Sequence, residues 1–249
     1  MKKSCNVNSE IPVVWLDLDD TLWDFKANSR VALAGLYADH GLDRWFGSQD
    51  EWIERYERHN HALWDRYNHA LITKDELMKS RFRLPLEEVG SPMAAELGAR
   101  FDGEYLDRLA ECTRLVDGAI DLLEWIKDNG MMTGVLSNGF TEVQHRKIRN
   151  SGLAPLIDYT VLSDDIGVNK PDVRLYRHAE QVAGTTAARC IMVGDNPDTD
   201  ISGAVNAGWK AIYLDRVNTS TPPAGVPTIT TLADAKQLIA DFQHSLATL

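Results

Sequence analysis

Four short apolar runs, at 132–136, 159–162, 190–193 and 211–214, each end in polar or turn residues. They alternate with amphipathic stretches at 117–128, 142–150, 173–183 and 201–206. Glycines at 130, 152, 184 and 208 fall where those helices should stop. Strand–helix alternation of this kind predicts an α/β fold with a doubly wound, Rossmann-like parallel sheet. One more apolar run, 11–16, lies far upstream. The stretch between is different: from 23 to 107 it has helical periodicity, many aromatic and charged residues, and no convincing strand. Thr73 and Glu76 have the spacing of a capping box, as do Thr141 and Gln144, and Ser91–Pro92 suits an N-cap followed by the first helical residue. The expected organisation is a discontinuous core, 1–22 with 108–249, carrying a helical insertion at 23–107. Residues 219–227 read as a surface loop.

At 249 residues, 44% hydrophobic and 25% charged, the chain has ample material for a core. No apolar run approaches the ~18 residues of a membrane span, and the start of the chain has no apolar stretch suited to a signal peptide. A cytoplasmic location is therefore the expectation. The net charge of −11 repels nucleic-acid backbones and anionic membranes, so neither is an expected partner. A small phosphorylated ligand stays open, because a local cation reverses the field inside one pocket. Cys5, Cys112 and Cys190 are widely spaced and odd in number, with no zinc or disulfide framework, and Cys190 reads as a small core residue.

The chemistry concentrates where strands should end. Directly after the run 11–16 come Asp17, Leu18, Asp19, Asp20 and Thr21. Residues two apart on a strand point the same way, so Asp17 and Asp19 would face one ligand if the extended geometry persists. Two carboxylates that close call for a cation between them or a proton on one. The pair therefore indicates a metal site, a nucleophile with an acid/base partner, or both. Ser137, Asn138 and Gly139 follow the run 132–136, where a hydroxyl and turn N–H groups can serve a phosphate. Lys170 precedes Pro171, and an ammonium there could neutralise a phosphoryl oxygen and keep Asp17 ionised. Gly194 and Asp195, with Asp200 five residues on, supply carboxylates suited to a hard cation such as Mg²⁺.

As an ordered set these motifs resemble those of the haloacid dehalogenase-like hydrolase superfamily, and the insertion resembles its C1-type helical cap. The resemblance implies Asp17 as the nucleophile that forms an aspartyl-phosphate, and Asp19 as acid and then base. It implies Mg²⁺ held by Asp17, the backbone carbonyl of Asp19, and Asp195. Asp200 would support that site or orient Lys170, and Thr21 would buttress the nucleophile loop. Ser137, Lys170 and the N–H groups of Leu18, Asp19, Asn138 and Gly139 would bind the phosphoryl oxygens. Dehalogenases of the superfamily lack the acid two residues after the nucleophile, so Asp19 favours phosphate chemistry.

Within the insertion, Tyr56–Asn60, Leu63–Trp64, Tyr67–Asn68 and Arg81–Phe82 resemble the bacterial pyrimidine 5′-nucleotidase branch, as do 138–141 and 165–168. That implies nucleoside 5′-monophosphates as substrates, pyrimidine preferred. Trp23, Phe25, Asn60, Trp64 and Arg81 are the specificity candidates, with stacking and amide hydrogen bonds as the means. A phosphatase of sugar phosphates or other small metabolites, a phosphomutase, and a non-enzymatic binder are the alternatives. His59, His61 and His69 read as solvated or structural; His59 and His61, two apart on a helix, point to different sides.

Overall fold

The computed structural model describes residues 11–217 and 224–246. Cys5, the start of the chain and most of the expected 219–227 loop lie outside them. Six parallel strands form one sheet: β1 (Val13–Leu16), β2 (Met132–Ser137), β3 (Tyr159–Leu162), β4 (Cys190–Gly194), β5 (Lys210–Leu214) and β6 (Thr228–Ile229), in the order β3-β2-β1-β4-β5-β6. The helices are α1 (Phe25–Asp39), α2 (Gln49–Asn68), α3 (Lys74–Ser80), α4 (Arg83–Glu88), α5 (Ala94–Glu111), α6 (Ala119–Asp128), α7 (Thr141–Asn150), α8 (Val173–Ala183), α9 (Ser202–Asn206) and α10 (Leu232–Leu246). No helix among the described residues is long and apolar enough to cross a membrane.

The chain forms two compact units. One takes the described residues up to Asp24, then Leu115–Gln144, then those from Ser151 onward; the other takes Phe25–Arg114 with His145–Asn150. In the first unit β1 is buried along its whole length, as a parallel strand covered on both faces must be. Alternation sends Val13 and Trp15 to one face, where Trp15 stacks on Tyr159 and Trp209 and the cluster continues through Leu175, Tyr176 and Ala204 of α8 and α9. α6 and α10 pack on each other and on the sheet. The chain leaves β1 on one side through β2 and β3, then returns to its other side with β4. This reversal is the point where open α/β sheets bind ligands, outside the carboxyl ends of the strands.

The second unit is the helical insertion, α1–α5, together with the end of α7. Trp52, Tyr56, Phe82, Phe101 and Tyr105 form its aromatic core, with ring centroids 4.5 to 6.3 Å apart. A charged pair lies inside this apolar material. Arg81 Nε donates to Asp102 Oδ1 at 2.6 Å, both residues are buried, and the guanidinium lies 5.4 Å from the Tyr105 ring centroid. Ser29 and Tyr105 share a 2.7 Å hydroxyl hydrogen bond.

Two local expectations fail. Thr141 and Gln144 make no capping box: the Thr141 N–H and hydroxyl donate to Asp164, and the Gln144 side chain turns into the sheet unit. Ser91 does not start α5, which begins at Ala94; Ser91 and Pro92 form the turn before it, and Ser91 Oγ accepts from Met93 N–H. The box at Thr73 and Glu76 is present, and Gly130, Gly152, Gly184 and Gly208 all have positive φ.

Candidate active site

The register of the three central strands assembles the site. Leu16 lies opposite Val135 of β2 and Val193 of β4, so the next residue, Asp17, emerges level with Leu136 and Gly194. Its N–H still bonds Val193 O at 3.0 Å. Beyond Asp17 the strand geometry ends. Asp20 takes a left-handed φ of 60°, and the N–H groups of Leu22 and Trp23 both return to Leu18 O. This tight loop, rather than strand alternation, sets the direction of Asp19. Arg216 braces it from outside, donating to Asp20 O at 3.3 Å.

Lys170 lies at the centre, fully buried. Its ammonium contacts Asp17 Oδ1 at 2.5 Å, Asp200 Oδ1 at 2.7 Å and Leu136 O at 2.7 Å. Asn138 fixes the Lys170 backbone with two bonds, donating to Lys170 O at 3.0 Å and accepting from its N–H at 2.7 Å. Asp200 is held from the other side by Asn196 N–H at 3.1 Å. Gly194 makes room for it, since a Cβ there would lie 2.3 Å from Asp200 Oδ2. Asp195 accepts from the Thr21 hydroxyl at 3.3 Å.

Carboxylate oxygens of Asp17, Asp195 and Asp200 lie within 4.8 Å of one another. Three carboxylates against one ammonium leave two excess negative charges in a buried space. Burial pushes the Asp17 carboxyl up to about 7, opposed by Lys170 and reinforced by Asp200 and Asp19. Asp195 is raised well above the carboxylate range by burial and then by Asp200 and Asp17. Burial alone would lower the Lys170 ammonium, yet Asp17 and Asp200 hold it above its ordinary value. An all-oxygen donor set short of two positive charges suits a hard divalent cation such as Mg²⁺.

A model of haloacid dehalogenase-like hydrolases matches residues 11–208. The chain belongs to this family. Among haloacid dehalogenase-like hydrolases of known structure, it is similar to YfnB of Bacillus subtilis, solved with magnesium bound, at a TM-score of 0.83 and 26% identity over 92% of this chain and 99% of that one. It is 29% identical to the pyrimidine 5′-nucleotidase YjjG of Escherichia coli, over 91% of this chain and 96% of the relative. It is also 32% identical to a phosphoserine phosphatase of Thermus thermophilus, over 81% and 87%. The helical insertion is consistent with the cap of a haloacid dehalogenase-like hydrolase.

The structure brings Asp17, Lys170, Asp195 and Asp200 into one cluster, with Thr21 on Asp195 and Ser137 joined to Asp19 through Gln144. The Gly139 N–H donates to Ser137 Oγ at 3.1 Å. The specificity candidates belong to both units. Trp23 is buried in the sheet unit, bridged to Leu115. In the helical unit Arg81 is enclosed with Asp102, and Asn60 is buried with its oxygen facing the Tyr56 hydroxyl at 3.4 Å. Phe25 and Trp64 are half-buried; the Lys147 ammonium lies 5.4 Å from the Phe25 ring centroid, and Trp64 meets Tyr67 edge-on. His59 pairs with Glu88 at 2.9 Å, and His69 bonds the Asp65 carbonyl. Sequence reasoning missed Gln144 and the Asn138 side chain. Neither belongs to a charged or nucleophilic type, and the spacing of Gln144 from Thr141 pointed to a cap instead.

The carboxyl cluster has a thermodynamic signature. A carboxyl raised from 3.8 to about 7 contributes its full stability below its unfolded value and loses it as pH rises through 7. In EDTA the melting temperature should therefore fall between pH 5 and 8, opposite to ordinary acid denaturation. Excess Mg²⁺ should restore it at pH 8. A flat or rising profile in EDTA would contradict the repulsive cluster.

Proposed function

We propose that this chain is a Mg²⁺-dependent phosphomonoesterase of nucleoside 5′-monophosphates, with pyrimidine bases preferred. The observation that carries the chemistry is the buried Asp17–Lys170–Asp200 arrangement beside Asp195. The similarity to YjjG over nearly the full length of both chains supports the substrate class.

Asp17 Oδ attacks phosphorus, the ester P–O bond breaks, and an aspartyl-phosphate forms. Asp19 gives its proton to the departing alcohol. It then takes one from the water that cleaves the acyl phosphate, releasing inorganic phosphate and restoring Asp17. Lys170 and the Ser137 hydroxyl compensate charge on the phosphoryl oxygens, aided by N–H groups of Leu18, Asp19, Asn138 and Gly139. Asp17, the Asp19 carbonyl and Asp195 would hold Mg²⁺, with Asp200 orienting Lys170. When bound, the cation supplies positive charge beside the transferring group. Trp64 and Phe25, the half-buried aromatic candidates, are the side chains with surface to offer a base.

The second reading, a phosphatase of another small metabolite, is favoured by the similarity to a phosphoserine phosphatase. Phosphate release from a panel of nucleotides, sugar phosphates and phosphoserine, with Mg²⁺ and with EDTA, separates the two. We expect metal-dependent release led by UMP, dUMP or dTMP. Release led by a sugar phosphate or phosphoserine would keep the mechanism and discard the nucleotide assignment.

A further inference from the structure

We propose that Gln144 is a positioning residue that fixes the direction of the two proton-bearing groups of the site; this rests on the phosphatase reading above. Its side-chain nitrogen donates to Asp19 Oδ2 at 2.8 Å and to Ser137 Oγ at 2.8 Å, using both amide hydrogens. Ser137 Oγ also accepts from the Gly139 N–H at 3.1 Å. A hydroxyl has two acceptor lone pairs and one hydrogen. With both lone pairs filled by N–H donors, the Ser137 hydrogen must point away from Gln144 and Gly139, as a donor to an incoming anion. Likewise, Asp19 Oδ2 faces an N–H, so the proton that Asp19 gives to a leaving group sits on Oδ1.

Two further observations point the same way. The Gln144 side chain is fully buried, yet its amide oxygen has no hydrogen-bond partner. Reversing the amide would face that oxygen to the Asp19 carboxylate, so the unmet acceptor is the cost of placing the donor between two reacting groups. Gly139 leaves the space: a Cβ at that position would lie 2.2 Å from the Gln144 nitrogen and 2.3 Å from its amide carbon. The glycine therefore serves close approach of this side chain.

The test compares kcat/KM, which covers steps only through departure of the alcohol, for two leaving groups. A nucleoside alkoxide needs a proton from Asp19, whereas nitrophenolate leaves without one. Gln144→Met keeps the volume and removes the donor, and Gln144→Glu keeps the shape and sets an anion against Asp19. With wild-type melting temperatures as the fold control, each variant should lose about 10–100-fold in kcat/KM on the best nucleotide. On p-nitrophenyl phosphate with Mg²⁺ each should lose at least about fivefold less, because there only the Ser137 contact to the phosphoryl group is weakened and no proton from Asp19 is needed. Equal losses on both esters, or full nucleotide activity in Gln144→Glu, would overturn the assignment. If the wild type hydrolyses p-nitrophenyl phosphate but no nucleotide, the substrate class fails and the leaving-group contrast is read on the best alkyl phosphate. If it hydrolyses no phosphate ester, the phosphatase reading fails and this inference with it.

Discussion

Asp17→Asn is expected to lower kcat by about 10⁴-fold or more on the best phosphate ester, without loss of folding. The replacement is isosteric, and an amide cannot displace an alkoxide from phosphorus. The variant keeps the loop geometry, because the bond from residue 17 N–H to Val193 O involves backbone alone. Lys170 also keeps Asp200 at 2.7 Å and Leu136 O at 2.7 Å, so its buried ammonium stays paired. Removing one of three crowded carboxylates relieves repulsion, so the metal-free variant should melt at or above the wild-type temperature at pH 8. Activity within tenfold of wild type would remove Asp17 from the nucleophile role. A large loss of melting temperature would mean that the Asp17–Lys170 pair holds the fold.

The second large effect is on stability and belongs to the helical unit. Asp102→Ala should cost about 3–5 kcal/mol in urea unfolding, because it leaves the Arg81 guanidinium in an aromatic core without its carboxylate. The paired change Arg81→Met with Asp102→Leu should be close to neutral, since apolar groups of similar volume need no desolvation of charge. A cost below about 1 kcal/mol for the single change would show that the pair is not the anchor its burial indicates. The same double variant bears on specificity. With Arg81 enclosed, it should keep the wild-type order of preference among nucleotides.

Much of the architecture was legible because each signal was local and redundant. The strands at 159–162 and 190–193 show as apolar runs, and glycines mark the helix ends between them. The two-residue β6 was too short to register, and α10 at the end of the described chain was not anticipated. In the site, Asp17, Asp195 and Asp200 were readable because carboxylates after apolar strands are conspicuous, and Lys170 because the Lys–Pro pair falls in order between the other motifs. Gln144 was not, since its function depends on a contact with Asp19 from a distant part of the sequence. The enclosure of Arg81 was equally hidden: a motif shows that an arginine is present, and only packing shows Asp102 beside it.

The strand order also governs assembly. β1, at the middle of the sheet, leads directly into Asp17, and both of its neighbours come much later in the chain. During synthesis this apolar strand must wait, its edges unpaired, until β2 and then β4 have left the ribosome. The helical unit is nearly contiguous in sequence and can gather its own contacts meanwhile. A nascent chain stopped before Cys190 therefore carries Asp17 on an open sheet edge and has no Asp195 or Asp200. The catalytic centre is among the last features to form, and a truncated product is more prone to aggregate than to catalyse.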